Sequence, residues 1–305
     1  MRKVSIIVLT YNNIESLDRA LASISNQSYD NIEVLISDDG STKVTEDDIC
    51  KVAASYKNSL DIHVHVNEKN MGTVRNFNGA IRRSTGEYIF PLSCDDEFVD
   101  GNAVAEIVDT MESENYEICT AYRKGKNTGA ILPAEDEASI LETVDRDLLL
   151  ARLAVGNIVC GATLYYRRTV FDKYGFFDEK YDLLEDYPYI FAFLKKGGCL
   201  GWLDKVTILY GESGVSSKVE NRPPNPRLKK DAIIMHEEDV ITSAEYINNK
   251  RIKRYVDYRR KKHEGKIPRF ILKIQYIDLS LLKLKKILKK DKRSMFWTLY
   301  KMPKK

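Results

Sequence analysis

Four short apolar runs punctuate the first hundred residues, and each of the first three is followed by a helical pattern. The runs are Val4-Ser5-Ile6-Ile7-Val8-Leu9, Ile32-Glu33-Val34-Leu35-Ile36, Ile62-His63-Val64-His65-Val66 and Tyr88-Ile89-Phe90-Pro91-Leu92. The first is almost continuously apolar, the pattern of a parallel strand buried on both faces. Leu17, Leu21 and Ile24 mark one side of the first intervening helix, and further helices are expected over about 46–56 and 74–83. Strand, helix, strand at this spacing predicts right-handed crossovers and an α/β fold, a Rossmann-like, mostly parallel sheet with helices on both faces. Further strands are expected near 118–122 and 162–166, and a helix over about 187–196. Arg222-Pro223-Pro224-Asn225-Pro226 cannot continue a helix or a central strand. That stretch divides the chain into an α/β body, 1–221, with halves of about 1–100 and 101–221, and a mostly helical C-terminal extension, 222–305.

Ligands of such sheets bind at the carboxyl ends of the strands. Two acidic pairs fall there: Asp38-Asp39 closes the second run, and Asp95-Asp96 follows the fourth. One such pair is most often a solvated turn or a helix cap, whereas two on one sheet edge point to a site. Hard cations such as Mg²⁺ and Mn²⁺ take one or two carboxylates together with substrate phosphates. Arg75 lies between the pairs in sequence and suits a phosphate or a nucleobase through its planar fork. Spacing alone thus reaches a metal-assisted nucleotide-binding domain. No GxGxxG run or P-loop is present, so neither NAD nor ATP binding has support. His63 and His65 share a strand face but read as surface residues. His236, Cys94 and Trp202 read as packing rather than as a metal ligand, a reactive thiol and a sugar platform.

The ordered set Val4-Ser5-Ile6-Ile7-Val8-Leu9-Thr10-Tyr11-Asn12, Asp38-Asp39-Gly40-Ser41, Asn70-Met71-Gly72-Thr73-Val74-Arg75-Asn76 and Cys94-Asp95-Asp96 strongly resembles the family 2 inverting glycosyltransferases of the GT-A fold. Gly175-Phe176-Phe177-Asp178-Glu179 and then Glu185-Asp186 continue that pattern, and the match covers about residues 3–215. The resemblance implies a nucleotide-binding half over 1–100 and an acceptor half over 101–221. Thr10 and Tyr11 would line the nucleobase pocket with Asn12 beside them, Asp38 and Asp39 would serve the nucleoside, and Arg75 would contact the nucleotide. Asp95 and Asp96 would occupy the metal-binding motif, with Asp96 the direct ligand of Mn²⁺ or Mg²⁺. Asp186 would be the base that activates the acceptor, and Glu185 its reserve. Ser93 departs from the commoner pattern, which has a further Asp there. The chemistry agrees: in an inverting transfer a carboxylate must take the acceptor's proton on the side opposite the departing nucleoside diphosphate. The expected donor is a UDP-sugar and the expected acceptor a glycan or lipid-linked glycan, with a hexosyl or N-acetylhexosaminyl group transferred in polysaccharide biosynthesis. A non-catalytic nucleotide-sugar-binding module is the alternative, and a nucleotidyltransferase a third reading that lacks its usual Gly-rich basic loop.

The net charge of +3 conceals an asymmetry. Residues 250–305 hold 21 Lys and Arg against 4 Asp and Glu, a local charge of +17, while the preceding 249 residues carry 27 against 41, or −14. A split of this size suggests an acidic body and a tail that seeks an anionic surface. Phe270, Ile274, Ile277, Leu281, Leu284 and Leu288 recur at helical spacing among Lys283, Lys285, Lys286, Lys289 and Lys290, followed by Phe296, Trp297 and Tyr300. A basic amphipathic helix with aromatics suits the anionic face of a bilayer; the same stripe could instead pack on the body. Five scattered cysteines without a CxxC pair favour reduced thiols. No apolar run reaches the roughly 18 residues of a membrane span, and the N-terminus lacks a signal-peptide pattern. The expected location is therefore cytoplasmic, peripheral on the inner face of the cell membrane. Neither a nucleic-acid partner nor a processive-synthase Gln-x-x-Arg-Trp stretch is expected, and a homodimer is compatible with all of this.

Overall fold

The computed structural model describes residues 1–212, 214, 225–241, 247, 249–288 and 295–300. The 221/222 division and Arg222-Pro223-Pro224 lie outside the described residues, as do Lys289, Lys290 and the side chain of Lys285.

Among the described residues one nine-stranded sheet runs through the molecule. Its strands are β1 (Val4–Thr10), β2 (Ile32–Asp38), β3 (Asp61–Val66), β4 (Tyr88–Ser93), β5 (Glu97–Phe98), β6 (Ile118–Gly125), β7 (Ile131–Leu132), β8 (Tyr165–Arg167) and β9 (Leu200–Tyr210). The spatial order is β3-β2-β1-β4-β8-β6-β9-β5, with β7 on β6. The four strands β3-β2-β1-β4 are all parallel, as the apolar runs predict. Beyond β4 the sheet is mixed: β8 is antiparallel to both β4 and β6, whereas β6 and β9 run parallel. Pro91 sits in central β4 without harm to the ladder, because β8 pairs only with Tyr88 and Ile89.

Helices α1 (Leu17–Ser25), α2 (Glu46–Ala54), α3 (Thr73–Arg83) and α4 (Ala103–Ser113) link the first half, and α5 (Glu135–Leu141), α6 (Arg146–Val155), α7 (Thr169–Tyr174) and α8 (Asp186–Lys195) the second. Alternate side chains of β1 and β2 enter opposite layers. Ile6, Val8, Val34 and Ile36 pack with α1, α2 and α4, whereas Ile7 and Leu35 pack with α3 and the helices of the second half.

The chain then forms α9 (Pro226–Ile234), a π-helix at Met235–Val240, α10 (Lys250–Glu264), α11 (Arg269–Gln275), α12 (Ile277–Leu288) and α13 (Met295–Leu299). Met235, Ile252, Val256, Leu272, Tyr276, Leu279, Phe296 and Leu299 join the same apolar layer as Leu149, Leu153 and Phe191. The extension therefore shares a core with the body. Its expected stripe stays outside: Phe270, Ile274, Ile277, Leu281, Leu284 and Leu288 are all exposed, from 50% at Leu284 to 73% at Leu288. The expected interfacial aromatics are placed differently. Phe296 is fully buried, Trp297 Nε1 donates to the Asp136 carbonyl at 2.9 Å, and Tyr300 packs against the core. These three rings face the body because α13 lies on α6 and covers its apolar side. No helix among the described residues is long and apolar enough to cross a membrane.

Candidate active site

The register of β1 with β2 and β4 sets the acidic pairs at one edge. Thr10 lies opposite Asp38, and Leu9 opposite both Ser37 and Ser93. The ladder continues one step further, with Asp39 N donating to Thr10 O and Cys94 N to Leu9 O, each at 3.0 Å. Both pairs thus emerge at the same level from the two parallel strands that flank β1.

The first pair organises loops. Asp38 is buried, and its oxygens accept from Ser41 N at 2.7 Å and Ser41 Oγ at 2.6 Å, closing the turn. Asp39, also buried, accepts from Met71 N at 2.8 Å, Gly72 N at 2.9 Å and Asn67 Nδ2 at 3.3 Å. Asn12, at φ 52°, accepts from Thr42 N and Lys43 N at 2.9 Å each. Gly40 has φ +69°, and a Cβ there would stand 2.6 Å from Lys69 Cα and 2.7 Å from Asn70 N. Three strand-end loops are thereby clamped together. Thr10 Oγ1 donates to the Asn13 carbonyl at 3.1 Å, and the Tyr11 ring stays exposed beside it.

Arg75 leaves the first turn of α3 toward the loop before α8. It donates to Glu179 O at 2.6 Å and to Asp182 Oδ1 at 3.1 Å, so it joins the two halves of the body.

The second pair has a different character. Asp96 is fully buried; Gly211 N, at the end of β9, donates to its Oδ1 at 2.7 Å. Asp96 Oδ2 has no hydrogen-bond partner among the described residues. Burial, then the neighbouring charge of Asp95, pushes this carboxyl up to about 7. Asp95 is half-buried, and Lys126 Nζ anchors the turn by donating to Asp95 O and Glu97 Oε1 at 2.5 Å each. A Cβ on Gly211 would meet Asp95 Oδ2 at 2.5 Å, so only glycine lets β9 approach so closely. An enclosed carboxylate oxygen without a donor, beside a second carboxylate, fits a hard divalent cation.

Glu185 and Asp186 begin α8. Asp186 Oδ1 accepts from Tyr187 N at 2.6 Å, and Oδ2 from Gly161 N at 2.9 Å. A Cβ on Gly161 would lie 2.6 Å from Glu185 Oε1, so the bare backbone makes room for that carboxylate. Burial, then the charge of Asp186, pushes Glu185 up to about 8. Burial raises Asp186 as well, opposed by the N–H groups of Tyr187 and Gly161.

Arg123, on β6, was not singled out from the sequence. Its guanidinium stacks over the Tyr210 ring at 4.7 Å, and its charge lowers the proton affinity of Asp96 and Asp186 alike. The Cys160 thiol feels the same three groups and, chiefly through burial, is pushed up to about 12. The second and third acidic pairs therefore belong to one electrostatic neighbourhood. Cys94 is buried as well, which pushes its thiol up to about 12, and Trp202 packs edge-on against Tyr122 in the core.

Another acidic grouping, Glu33, Asp61 and His63, lies at the amino ends of β2 and β3, away from these loops. Glu33 is already satisfied there by Lys3, Ser5 and Thr85, which hold it down to about 2 against burial.

The sequence matches the model of glycosyl transferase family 2 over residues 5–175. It is similar to an uncharacterized glycosyltransferase of Haemophilus influenzae, 27% identical over 241 residues, 74% of this chain and 71% of that protein. An uncharacterized glycosyltransferase of Rickettsia typhi is 27% identical over 196 residues, 63% of this chain, and the chain spans 58% of its length. Among solved structures, Staphylococcus aureus TarS 1–349 in complex with UDP-GlcNAc superposes with TM-score 0.61 at 19% identity, over 84% of this chain and 70% of that one. The mannosyltransferase PcManGT from Pyrobaculum calidifontis, in complex with GDP-Man and Mn²⁺, gives 0.56 at 15%, over 98% and 85%. At these identities the structural likeness shows the fold.

Proposed function

The chain belongs to glycosyl transferase family 2, and from that premise we propose that it moves one sugar, with inversion, from a nucleoside diphosphate sugar to a hydroxyl of a glycan or lipid-linked glycan. The observation that carries this reading is the pairing of two unlike carboxylate sites. Asp96 offers an enclosed, unpartnered oxygen, while Asp186 is oriented by two backbone N–H groups at a helix start. UDP is the favoured nucleotide, on the strength of the UDP-GlcNAc complex of the TarS fold relative.

Asp96, with Asp95, would hold Mn²⁺ or Mg²⁺, and the Mn²⁺ complex of the mannosyltransferase supports that choice. Such an ion, when bound, offsets charge that builds on the departing diphosphate. Tyr11 and Thr10 would border the nucleobase. Asp38, Asp39 and Asn12 support the pocket from behind, since their oxygens already bind loop backbone or side chains. Arg75 would serve the nucleotide from the junction with Asp182. Asp186 takes the acceptor's proton as the new C–O bond forms at the anomeric carbon and the bond to the diphosphate oxygen breaks. Each Asp186 oxygen keeps a second lone pair for that proton. Glu185, raised in proton affinity, is the reserve. Arg123 is placed to offset negative charge in between.

The extension would dock on an anionic membrane surface. The six-residue stripe is exposed on α11 and α12, with Lys273 and Lys283 exposed beside it. Full burial of an aliphatic or aromatic side chain contributes about 1.5–3 kcal/mol, and a lysine near an anionic surface about 1 kcal/mol. This supports a peripheral enzyme at the inner face of a cell membrane.

The deciding experiment offers purified protein a panel of nucleotide sugars with Mn²⁺ and follows nucleotide release and product anomer. Metal-dependent release is the expected outcome. Binding without turnover of any donor would favour the non-catalytic module, and pyrophosphate release a nucleotidyltransferase.

A further inference from the structure

Helix α9 carries one fully buried side chain, and it is a carboxylate. Asp231 Oδ2 accepts three consecutive backbone N–H groups, those of Asp182 at 3.0 Å, Leu183 at 2.7 Å and Leu184 at 3.1 Å. Its Oδ1 is buried with no hydrogen-bond partner among the described residues. One anionic oxygen gripping three successive amides fixes a tight concave turn of backbone. That turn runs straight into Glu185 and Asp186. Its outer side is fixed as well: the Asp182 side chain meets Arg75 at 3.1 Å and Arg227 of α9 at 3.5 Å, while Arg227 Nη1 donates to Asn70 Oδ1 at 2.7 Å.

We propose that Asp231 is a positioning residue for the acidic pair, and that the C-terminal extension thereby sets the catalytic geometry. Asp231 lies beyond the family match, which ends at residue 175. A neutral hydroxyl or a water-filled gap could satisfy some of these N–H groups. Three amides on one oxygen, however, specify where the backbone enters α8, and with it the distance from Asp186 to Gly161. Leaving the second oxygen of a buried carboxylate unpartnered costs free energy that the three N–H bonds on the first must offset.

The inference rests on Asp186 as the base, so Asp186→Asn is measured alongside. Asp231→Asn, Asp231→Glu and Asp231→Ala are compared for kcat, for donor affinity with Mn²⁺ and for Tm. Asparagine keeps one acceptor oxygen at the required distance, whereas glutamate keeps the charge but displaces the oxygen by a methylene. The expected result is a fall in kcat of about 10-fold to 100-fold for Asp231→Glu, the range for a misplacement near 1 Å. Donor affinity should stay within about twofold, and Asp231→Asn should recover most of the turnover. Wild-type kcat in Asp231→Glu, or equal losses in the asparagine and glutamate variants, would overturn the proposal even if the alanine variant fails to fold. Retained turnover in Asp186→Asn would instead count against the base assignment itself.

Discussion

Gly211 N donates to Asp96 Oδ1 at 2.7 Å and leaves the other oxygen of that carboxylate enclosed, without a partner among the described residues. A contact between the ends of β9 and β4 thus holds the candidate ligand in place from behind. Asp96→Asn should weaken UDP binding by about 10-fold or more in Mn²⁺, since even partners one shell out are worth 10–100-fold in metal affinity. In metal-free buffer the two proteins should bind alike. Titration calorimetry with and without the ion reads the difference, and an equal metal dependence in both would contradict the assignment.

Asp186→Asn should lower kcat by about 10²–10⁴-fold, the usual contribution of a positioned base. Its donor affinity should be unchanged, because the backbone groups that hold Asp186, those of Gly161 and Tyr187, lie outside the donor-side loops. Steady-state kinetics paired with equilibrium donor binding separates the two quantities.

Stability should respond to pH through Glu185. Its folded-state proton affinity is raised from an ordinary 4.5 to about 8, so the folded form binds more protons than the unfolded form in between. The contribution is fully present below pH about 4.5 and is lost as pH rises through about 8. Glu185→Gln removes this term, so its Tm relative to wild type should climb between pH 5 and 8. A flat difference in thermal scans across that window would count against the assigned shift.

Two glycines with nearly the same backbone angle separate strain from crowding. Gly40 (φ +69°) faces the backbone of Lys69 and Asn70, whereas Gly129 (φ +67°) has nothing within 4 Å of an added Cβ. Gly129→Ala should destabilise by about 1 kcal/mol through strain alone. Gly40→Ala should destabilise by well over 2 kcal/mol, since loop backbone must move. Chemical denaturation of both variants tests the gap.

Replacing Ile274 and Leu281 with glutamate should reduce sedimentation with vesicles rich in anionic lipid while leaving Tm nearly unchanged. Both side chains are more than half exposed, so neither supports the core. Deleting residues 269–305 is a poorer test, because Leu272, Tyr276, Leu279, Phe296 and Leu299 would leave the apolar layer uncovered. Undiminished vesicle binding by the double variant would rule out this face as the docking surface.

The parallel half of the sheet was legible because β1, β2 and β4 are apolar runs that end in chemically distinctive residues. β9 was not, since Asp204 and Lys205 interrupt its apolar pattern and its pairing with β6 shifts register twice. With β9 went Gly211, whose importance lies in a missing side chain. Arg123 escaped notice because its partners are remote in sequence and an arginine on a strand is ordinary. Asp231 gave no signal at all: its ligands are backbone amides 47 to 49 residues away, which no side-chain pattern encodes. Asp38 was visible as half of a motif, yet residue type alone could not reveal that Ser41 occupies both of its oxygens.

The apolar layer that joins α6 and α8 to α10–α13 also bears on how such enzymes diversify. A tail built this way cannot be inherited as a cassette. Grafting the C-terminal region of a relative onto this body would mismatch Leu149, Leu153 and Phe191 against foreign side chains, and would strip the amides of 182–184 of their acceptor. Chimeras should therefore lose stability wherever the breakpoint separates α6 and α8 from α10–α13, or Asn70 and Asp182 from Arg227. The docking face proposed for α11 and α12 would then be exchanged only together with the part of the body on which those helices pack.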